Sequence, residues 1–440
     1  MSRTNDNSPD QTIAPTAEDA AEGTEGTRLL VSRRAALGCM AWAGAGILWT
    51  VSGGVPRSIG LIGEAEAATK ATDFTFVQIS DTHIGFNKEA NPDVVGTLRR
   101  AMADVNALKT PPAFVLHTGD VSHLSKPEEF AQARDLLQEL KVDKIHFVPG
   151  EHDTLDNGME GFLKVFAPEK GGKGWYSFDQ NGVHFVGLVN VVDLQPKMLA
   201  TLGNEQLEWL ESDLKGRTAS TPIVVLAHMP LWALYPQWGW GTDDAAQALA
   251  YLKRFGSVTV LNGHIHQVMQ KVEGNVQFHT ARSTAFPQPA PGTPGAAPGP
   301  MKVPAEVLRS MLGVSTVGVR PHMKGLAISD AVLSSGAATA MPTAAAAPAA
   351  AAGAANAART ISISNFTFAP TAMTVRAGQE LTWMNEDDAP HTVVGSDPGS
   401  PLKSPALDTG DRYSVTITRP GTYRYFCSLH PHMTGSINVT

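Results

Sequence analysis

The chain has 440 residues, more than one hydrophobic core usually carries, since single cores stop growing at about 250–300 residues. Its composition, 42% hydrophobic and 17% charged, is that of a globular protein, and 41 glycines and 30 prolines point to long connections. A formal net charge of −8 argues against a nucleic-acid surface built on phosphate neutralisation, and leaves small anionic substrates open where metal ions supply local positive charge.

The N-terminus reads as an address rather than a fold. A polar, acidic leader runs to Thr27, and Ser32-Arg33-Arg34-Ala35-Ala36-Leu37-Gly38 then opens a mildly apolar stretch from Ala35 to about Val51. Paired arginines before a modest apolar segment, followed by Ala65-Glu66-Ala67 as a small-x-small cleavage site, resemble a twin-arginine signal over residues 1–67. The resemblance implies export of a folded, metal-loaded protein to the periplasm or the cell exterior. The other reading is a short anchor left uncleaved, but the stretch is short for the ~20 residues of a span, so no stable membrane span is expected after cleavage. Most of the apolar stretch follows Cys39, where a lipidated cysteine would have it before, which argues against lipidation. Cleavage near Ala67 leaves Cys427 as the one cysteine, either an inert buried thiol or a ligand.

From 73 to 333, apolar runs such as 74–79, 113–116 and 223–226 each end in a polar motif. They read as buried strands with functional residues at their carboxyl ends, separated by helices such as 128–140 and 205–214. An α/β core with its site along one sheet edge follows. Residues 287–300, rich in Pro, Gly and Ala, read as a loop near that site, and 334–358 as an extended linker. From 359 to 440 short alternating strands (361–363, 373–375, 381–383, 413–417 and 436–439) between Gly and Pro turns predict a small β-sandwich.

Five motifs fall in order at the strand ends of the first domain: Asp81-Thr82-His83, Gly119-Asp120, Gly150-Glu151-His152-Asp153, Ala227-His228-Met229-Pro230 and Gly263-His264-Ile265-His266. Two neighbouring metal ions need such carboxylate and imidazole ligands, one carboxylate able to bridge, and open positions for a hydroxide and phosphate oxygens. Together these motifs resemble the calcineurin-like metallophosphoesterases, which implies an αββα sandwich holding two metal ions such as Fe, Mn or Zn. By that resemblance one ion takes Asp81, His83 and His266, the other takes His228 and His264, and Asp120 bridges them. His152 then serves as general acid or phosphate stabiliser, with Asp153 as its orienter. The family usually has Asn where this chain has Glu151; a third carboxylate there lowers the cluster's Lewis acidity or favours a more highly charged ion. His117, His123, His146, His184, His279 and His322 carry no motif and read as structural, with His117 and His279 the two that could line the pocket. Trp175-Tyr176-Ser177-Phe178, Gln206-Leu207-Glu208-Trp209-Leu210 and the residues around Gln267 resemble bacterial phosphodiesterases of the cyclic-nucleotide class, in scaffold more than in pocket.

The second domain carries His391 after Asp387-Asp388-Ala389-Pro390, and Cys427-Ser428-Leu429-His430-Pro431-His432-Met433. A blue-copper centre needs one thiolate, two imidazoles and a weak axial thioether. This segment resembles a cupredoxin of the amicyanin and plastocyanin type, a Greek-key sandwich binding one copper ion through His391, Cys427, His430 and Met433, with His432 facing solvent. The resemblance implies a redox partner reached through the exposed ligand histidine. Two functional classes follow: a phosphoesterase, more a diesterase than a monoesterase, with an accessory copper domain, or a copper and electron-transfer protein whose hydrolytic site is weakened by Glu151. The linker sets no fixed distance between the centres, so proximity must come from an interface.

Overall fold

The computed structural model describes residues 48–52, 55–59, 73–155, 158–167, 172–192, 194–320, 325–334 and 359–440. Residues 1–65 and 66–440 form two separate compact units. The expected export signal lies outside the described residues except for two short strands, β1 (Leu48–Ser52) and β2 (Val55–Ile59), which pair antiparallel. The expected linker also lies outside them beyond Ser334, as does His322. Among the described residues no helix is long and apolar enough to cross a membrane.

The second unit begins with strand β3 (Phe74–Ile79), helix α1 (Val94–Asn106), β4 (Val115–His117), α2 (Pro127–Leu137), β5 (Ile145–Phe147) and α3 (Glu160–Phe166). Then come β6 (Tyr176–Gln180), β7 (Val183–Gly187), α4 (Asn204–Leu214), β8 (Ile223–Leu226), α5 (Ala245–Leu252), β9 (Val258–Asn262), β10 (Gln270–Glu273) and β11 (Val276–Thr280). Helix α6 (Ala305–Met311), β12 (Gly313–Val319) and β13 (Ala327–Val332) complete the first domain. Its strands form two sheets, ordered β13-β12-β3-β4-β5 and β10-β11-β9-β8-β7-β6. The central strands run parallel, β3 with β4 and β5, and β7 with β8, β9 and β11.

Phe76, Phe114, Leu116, Phe185, Val224 and Leu261 fill the space between the sheets. The outer face of one sheet buries Val77 and Ile79 with the apolar stripes of α1 and α2, including Leu98, Met102 and Phe130. The outer face of the other takes Leu207, Leu210 and Leu252 from α4 and α5. Strands apolar on both faces and helices apolar on one force this helix–sheet–sheet–helix layering. Burying one such Leu or Phe stabilises the fold by ~1.5–3 kcal/mol.

The second domain contains β14 (Thr360–Ile363), β15 (Phe368–Ala369), β16 (Ala372–Val375), β17 (Glu380–Asn385), β18 (Val394–Gly395), β19 (Arg412–Thr416), β20 (Gly421–Phe426) and β21 (Thr434–Val439). Two four-stranded sheets, β15-β14-β17-β19 and β16-β21-β20-β18, pack around Ile361, Phe368, Trp383, Tyr425 and Ile437. The alternation read from the sequence is visible along β17, where Leu381, Trp383 and Asn385 face in. The fold is thus the αββα sandwich that the resemblance implies, with the C-terminal β-sandwich that the residue patterns predict.

Candidate metal centres

Each polar motif of the first domain sits just beyond the carboxyl end of a parallel strand. Asp81 and His83 follow β3, Asp120 follows β4, Glu151 and His152 follow β5, His228 follows β8, and His264 and His266 follow β9. To turn side chains back over the sheet edge the backbone takes left-handed conformations, with φ of 52° at Asp81, 41° at His83, 52° at Asp120, 70° at His264 and 53° at His266. Five of the ten non-glycine residues with positive φ among the described residues are therefore expected ligands. Each such turn costs on the order of 1–2 kcal/mol, and strain of this kind is kept where a site requires it.

The side chains converge into two groups sharing Asp120. In one, His83 Nε2 lies 3.3 Å from His266 Nε2 and 3.5 Å from Asp120 Oδ2, and His266 Nε2 lies 3.3 Å from Asp81 Oδ1. In the other, His228 Nε2 lies 3.0 Å from Glu151 Oε2 and 3.3 Å from Asp120 Oδ2, and His264 Nδ1 lies 2.9 Å from Glu151 Oε1. Asp81 Oδ2, Glu151 Oε2, His228 Nε2 and His264 Nδ1 are nevertheless buried without a well-formed hydrogen bond. Buried polar atoms are almost always paired, so a cluster of orphans aimed at one another fits ion ligands. Two ring tautomers are set from behind: His228 Nδ1 lies 2.7 Å from the Thr118 carbonyl and His266 Nδ1 lies 2.6 Å from that of Phe286, leaving each Nε2 free to ligate.

The charge balance points the same way. Burial, then the Glu151 charge, push Asp120 well above the usual carboxylate range. Burial would also raise Glu151, but His264 and His228 pull it well below. Burial would lower His228, yet Asp120 and Glu151 hold it well above an ordinary histidine. Three buried carboxylates set among imidazoles in this way form a donor set suited to cations.

His152 Nδ1 lies 2.8 Å from the His123 carbonyl, so the neutral ring turns Nε2 away from that bond. Burial depresses its pKa. Asp153 does not touch that ring. Its carboxylate accepts the backbone N–H groups of Gly150, Val121 and Ser122 at 2.8–3.0 Å, stitching the Asp120 turn to the Glu151 turn. It orients two loops rather than the imidazole.

The sequence reading missed His123. It is buried, stacks on His152 with centroids 5.3 Å apart, and both of its ring nitrogens lack a hydrogen-bond partner. Ligand atoms of His83, His123 and His152 lie within 4.8 Å of one another. The available signal was its place three residues beyond Asp120, on the same turn. His117 is behind the cluster, 3.2 Å from Thr82 Oγ1, and His279 pairs with Asp330 at 3.1 Å, so neither lines the cavity. His184 is structural as expected, 2.6 Å from Asp213. So is Gln206, which accepts from the Val189 N–H and donates to the Val189 carbonyl.

In the second domain Cys427 Sγ lies 3.7 Å from His391 Nδ1 and 3.6 Å from His430 Nδ1, and the two nitrogens are 3.2 Å apart. The centre of that triangle is about 2 Å from every corner, the length of a metal–imidazole bond. Asp387 Oδ2 accepts from His391 Nε2 at 2.9 Å, which directs the Nδ1 lone pair inward. Burial raises the Cys427 thiol, but hydrogen bonding and charge from His391 and the Thr392 and His430 amides bring it below its ordinary value. Met433 is buried on the same loop, its carbonyl accepting the Cys427 N–H. His432 departs from expectation: it is half-buried rather than facing solvent, and burial lowers it to about 4. The adjoining Pro431 carbonyl is held by the Lys197 N–H of the first domain, at 2.7 Å.

An αββα sandwich with paired ligand clusters, followed by a Cys–His–His–Met sandwich, defines a metallophosphoesterase joined to a cupredoxin. Residues 74–268 match the calcineurin-like phosphoesterase model and residues 355–440 match that of copper binding proteins of the plastocyanin/azurin family. Through its second domain the chain belongs to the plastocyanin/azurin family, and its first domain is similar to the calcineurin-like phosphoesterases. Amicyanin-alpha of Methylorubrum extorquens is 35% identical over 82 residues, 18% of this chain and 69% of that protein. A 3',5'-cyclic-nucleotide phosphodiesterase of Nostoc is 25% identical over 219 residues, 48% of this chain and 79% of that protein. A probable glycerophosphodiester phosphodiesterase of Arcobacter nitrofigilis is 26% identical over 161 residues, 35% of this chain but only 57% of that relative's length.

Proposed function

We propose that the chain is an exported phosphodiesterase of two metal ions, with a blue-copper domain that carries electrons. Its parts are a twin-arginine-type signal over 1–67, a hydrolytic domain over 73–333, a linker over 334–358 and the copper domain over 359–440. The carrying observation is the set of buried, unpaired ligand atoms in two groups that share Asp120.

Asp81, His83 and His266 would hold one ion, Glu151, His228 and His264 the other, with Asp120 shared by both groups. Such a pair lowers the pKa of water at neutral pH and neutralises phosphoryl charge. His152, whose Nδ1 is held by the His123 carbonyl, would donate from Nε2 to the departing alkoxide only as the imidazolium, a form that burial disfavours. Among the described residues lining the cavity there is no Lys or Arg to take the extra charge of a monoester, which favours a singly charged diester. Both hydrolytic relatives are named as phosphodiesterases.

Glu151 makes three carboxylates around the pair, so a cluster including a trivalent ion such as ferric iron, or a slower divalent pair, suits it better than the family's usual set. In the copper domain His391, Cys427, His430 and Met433 would hold a copper ion, which would supply one-electron transfer. The test is substitution of the bridge and of one ligand: Asp120→Ala and His264→Ala each abolish turnover of an aryl phosphodiester while the chain stays folded. Retained turnover in both refutes the assignment.

A further inference from the structure

The hydrolytic cavity has two owners. His83, Asp120, Glu151, His152 and His264 line it from the first domain, and Phe366, Ala389, Leu429, His430 and Pro431 line it from the second. The cavity measures about 30 Å³, far below the ~300–1,000 Å³ of pockets that bury small-molecule ligands. No phosphate diester enters it in this arrangement.

The wall that closes it is the copper-ligand edge. The Phe366 ring packs on His391 and His430, with centroids 5.0 and 4.7 Å away, and on the opposite side lies so close to Gly299 that a Cβ there would overlap it. Around this apolar centre runs a charged rim. Lys88 reaches Asp408 at 3.0 Å, and Lys302 reaches both Asp388 and Glu89 at 3.0 Å. An apolar centre with a polar rim is the build of a protein interface, and half-exposed ion pairs make it a weak, reversible one. The stretch 335–358 joining the two domains has a contour length of up to ~80 Å, enough for them to part without strain.

We propose that the copper domain's ligand-histidine edge has the hydrolytic mouth of its own chain as partner, so that docking seals both centres and one undocking motion opens both. Phosphate esters then enter the cavity, and an external redox molecule gains full access to the half-buried His430, only in the undocked form. This rests on the phosphodiesterase reading for its hydrolytic half, while its copper half stands independently.

The test uses the full-length, metal-loaded chain. Lys88→Glu with Lys302→Glu, and separately Asp388→Lys with Asp408→Lys, each turn the two pairs that cross between the domains repulsive, and combining all four restores those two with swapped signs. Three quantities are read: the radius of gyration by small-angle scattering, the rate at which ferrocyanide bleaches the blue copper, and kcat/KM for bis(p-nitrophenyl) phosphate. Both double variants are expected to expand and to gain about tenfold in each rate, from a docking constant weakened by two pairs, and the fourfold variant to return to the parent values. The two double variants carry opposite net charge changes, so opposite shifts in the ferrocyanide rate would mean a charge effect and overturn the proposal. Expansion with both rates unchanged overturns it, as does no response in any chain. If no chain hydrolyses the diester while scattering and copper reduction respond as stated, the sealed copper edge is supported and the phosphodiesterase reading falls.

Discussion

Gly150 is the tightest test of the bridging carboxylate. Its Cα faces Asp120 so closely that an added Cβ would fall on the Asp120 carboxylate and backbone nitrogen. That carboxylate already accepts the His152 N–H at 3.0 Å and approaches His83 and His228 at 3.5 and 3.3 Å, so it has nowhere to retreat without leaving one group of ligands. Gly150→Ala therefore moves Asp120 by something approaching an ångström. Overpacking on this scale costs about 1–3 kcal/mol of stability, and an ångström's misplacement at a reacting centre costs about a hundredfold in rate. The assay pairs metal content per chain with kcat on an aryl phosphodiester, using Gly256→Ala as control because the nearest atom to a Cβ there, the Ala219 carbonyl oxygen, is 3.6 Å away. The expected result is a drop toward one hydrolytic ion and a roughly hundredfold loss of kcat, against parent values for the control. Full metal content and full activity in Gly150→Ala would refute the placement of Asp120 as a bridge.

Four further outcomes follow. Cys427→Ser gives a colourless chain after copper addition, whereas the parent is blue; an unchanged visible spectrum would place the copper elsewhere. Asp387→Asn weakens the carboxylate behind His391 and is expected to lower copper affinity about 10–100-fold, measured by competition with a chelator. Glu151→Asn restores the family's neutral oxygen and shifts preference from trivalent toward divalent ions; identical metal preference and rate would mean that Glu151 does not coordinate. Glu129 gives the pH dependence: burial raises its carboxyl to about 7 against backbone hydrogen bonds that favour the charged form. Because the folded pKa lies above the unfolded one, this group's stabilising effect is complete below about 4.5 and is lost as pH rises through about 7. Glu129→Gln is expected to flatten the thermal midpoint across that window.

The candidate ligand set was legible because each motif is local: a strand delivers it, a left-handed turn aims most of it, and residue type suggests its chemistry. Asp81, His83, His264 and His266 all announce themselves within three residues. Strand and helix bounds were readable to within a few residues for the same reason, as in α2, expected over 128–140 and found at Pro127–Leu137. His123 was less legible, since its one signal was its place three residues beyond Asp120, and the stacking on His152 is what brings it into the cavity. Asp153 belongs to a motif yet serves the backbone, because the amides of Val121 and Ser122 come from a different strand end. The half-burial of His432 and the seating of Phe366 against Gly299 depend on contacts between residues far apart in sequence, and no local pattern encodes such pairings.

The central claim is that one chain builds two distinct metal centres from the residues named above. Metal content of the purified full-length chain, measured beside Asp120→Ala and Cys427→Ser, tests it most directly. The account predicts two hydrolytic ions and one copper per parent chain, loss of hydrolytic metal with copper kept in Asp120→Ala, and loss of copper with hydrolytic metal kept in Cys427→Ser. A parent chain that binds a single ion, or an Asp120→Ala chain that keeps all three, would contradict it.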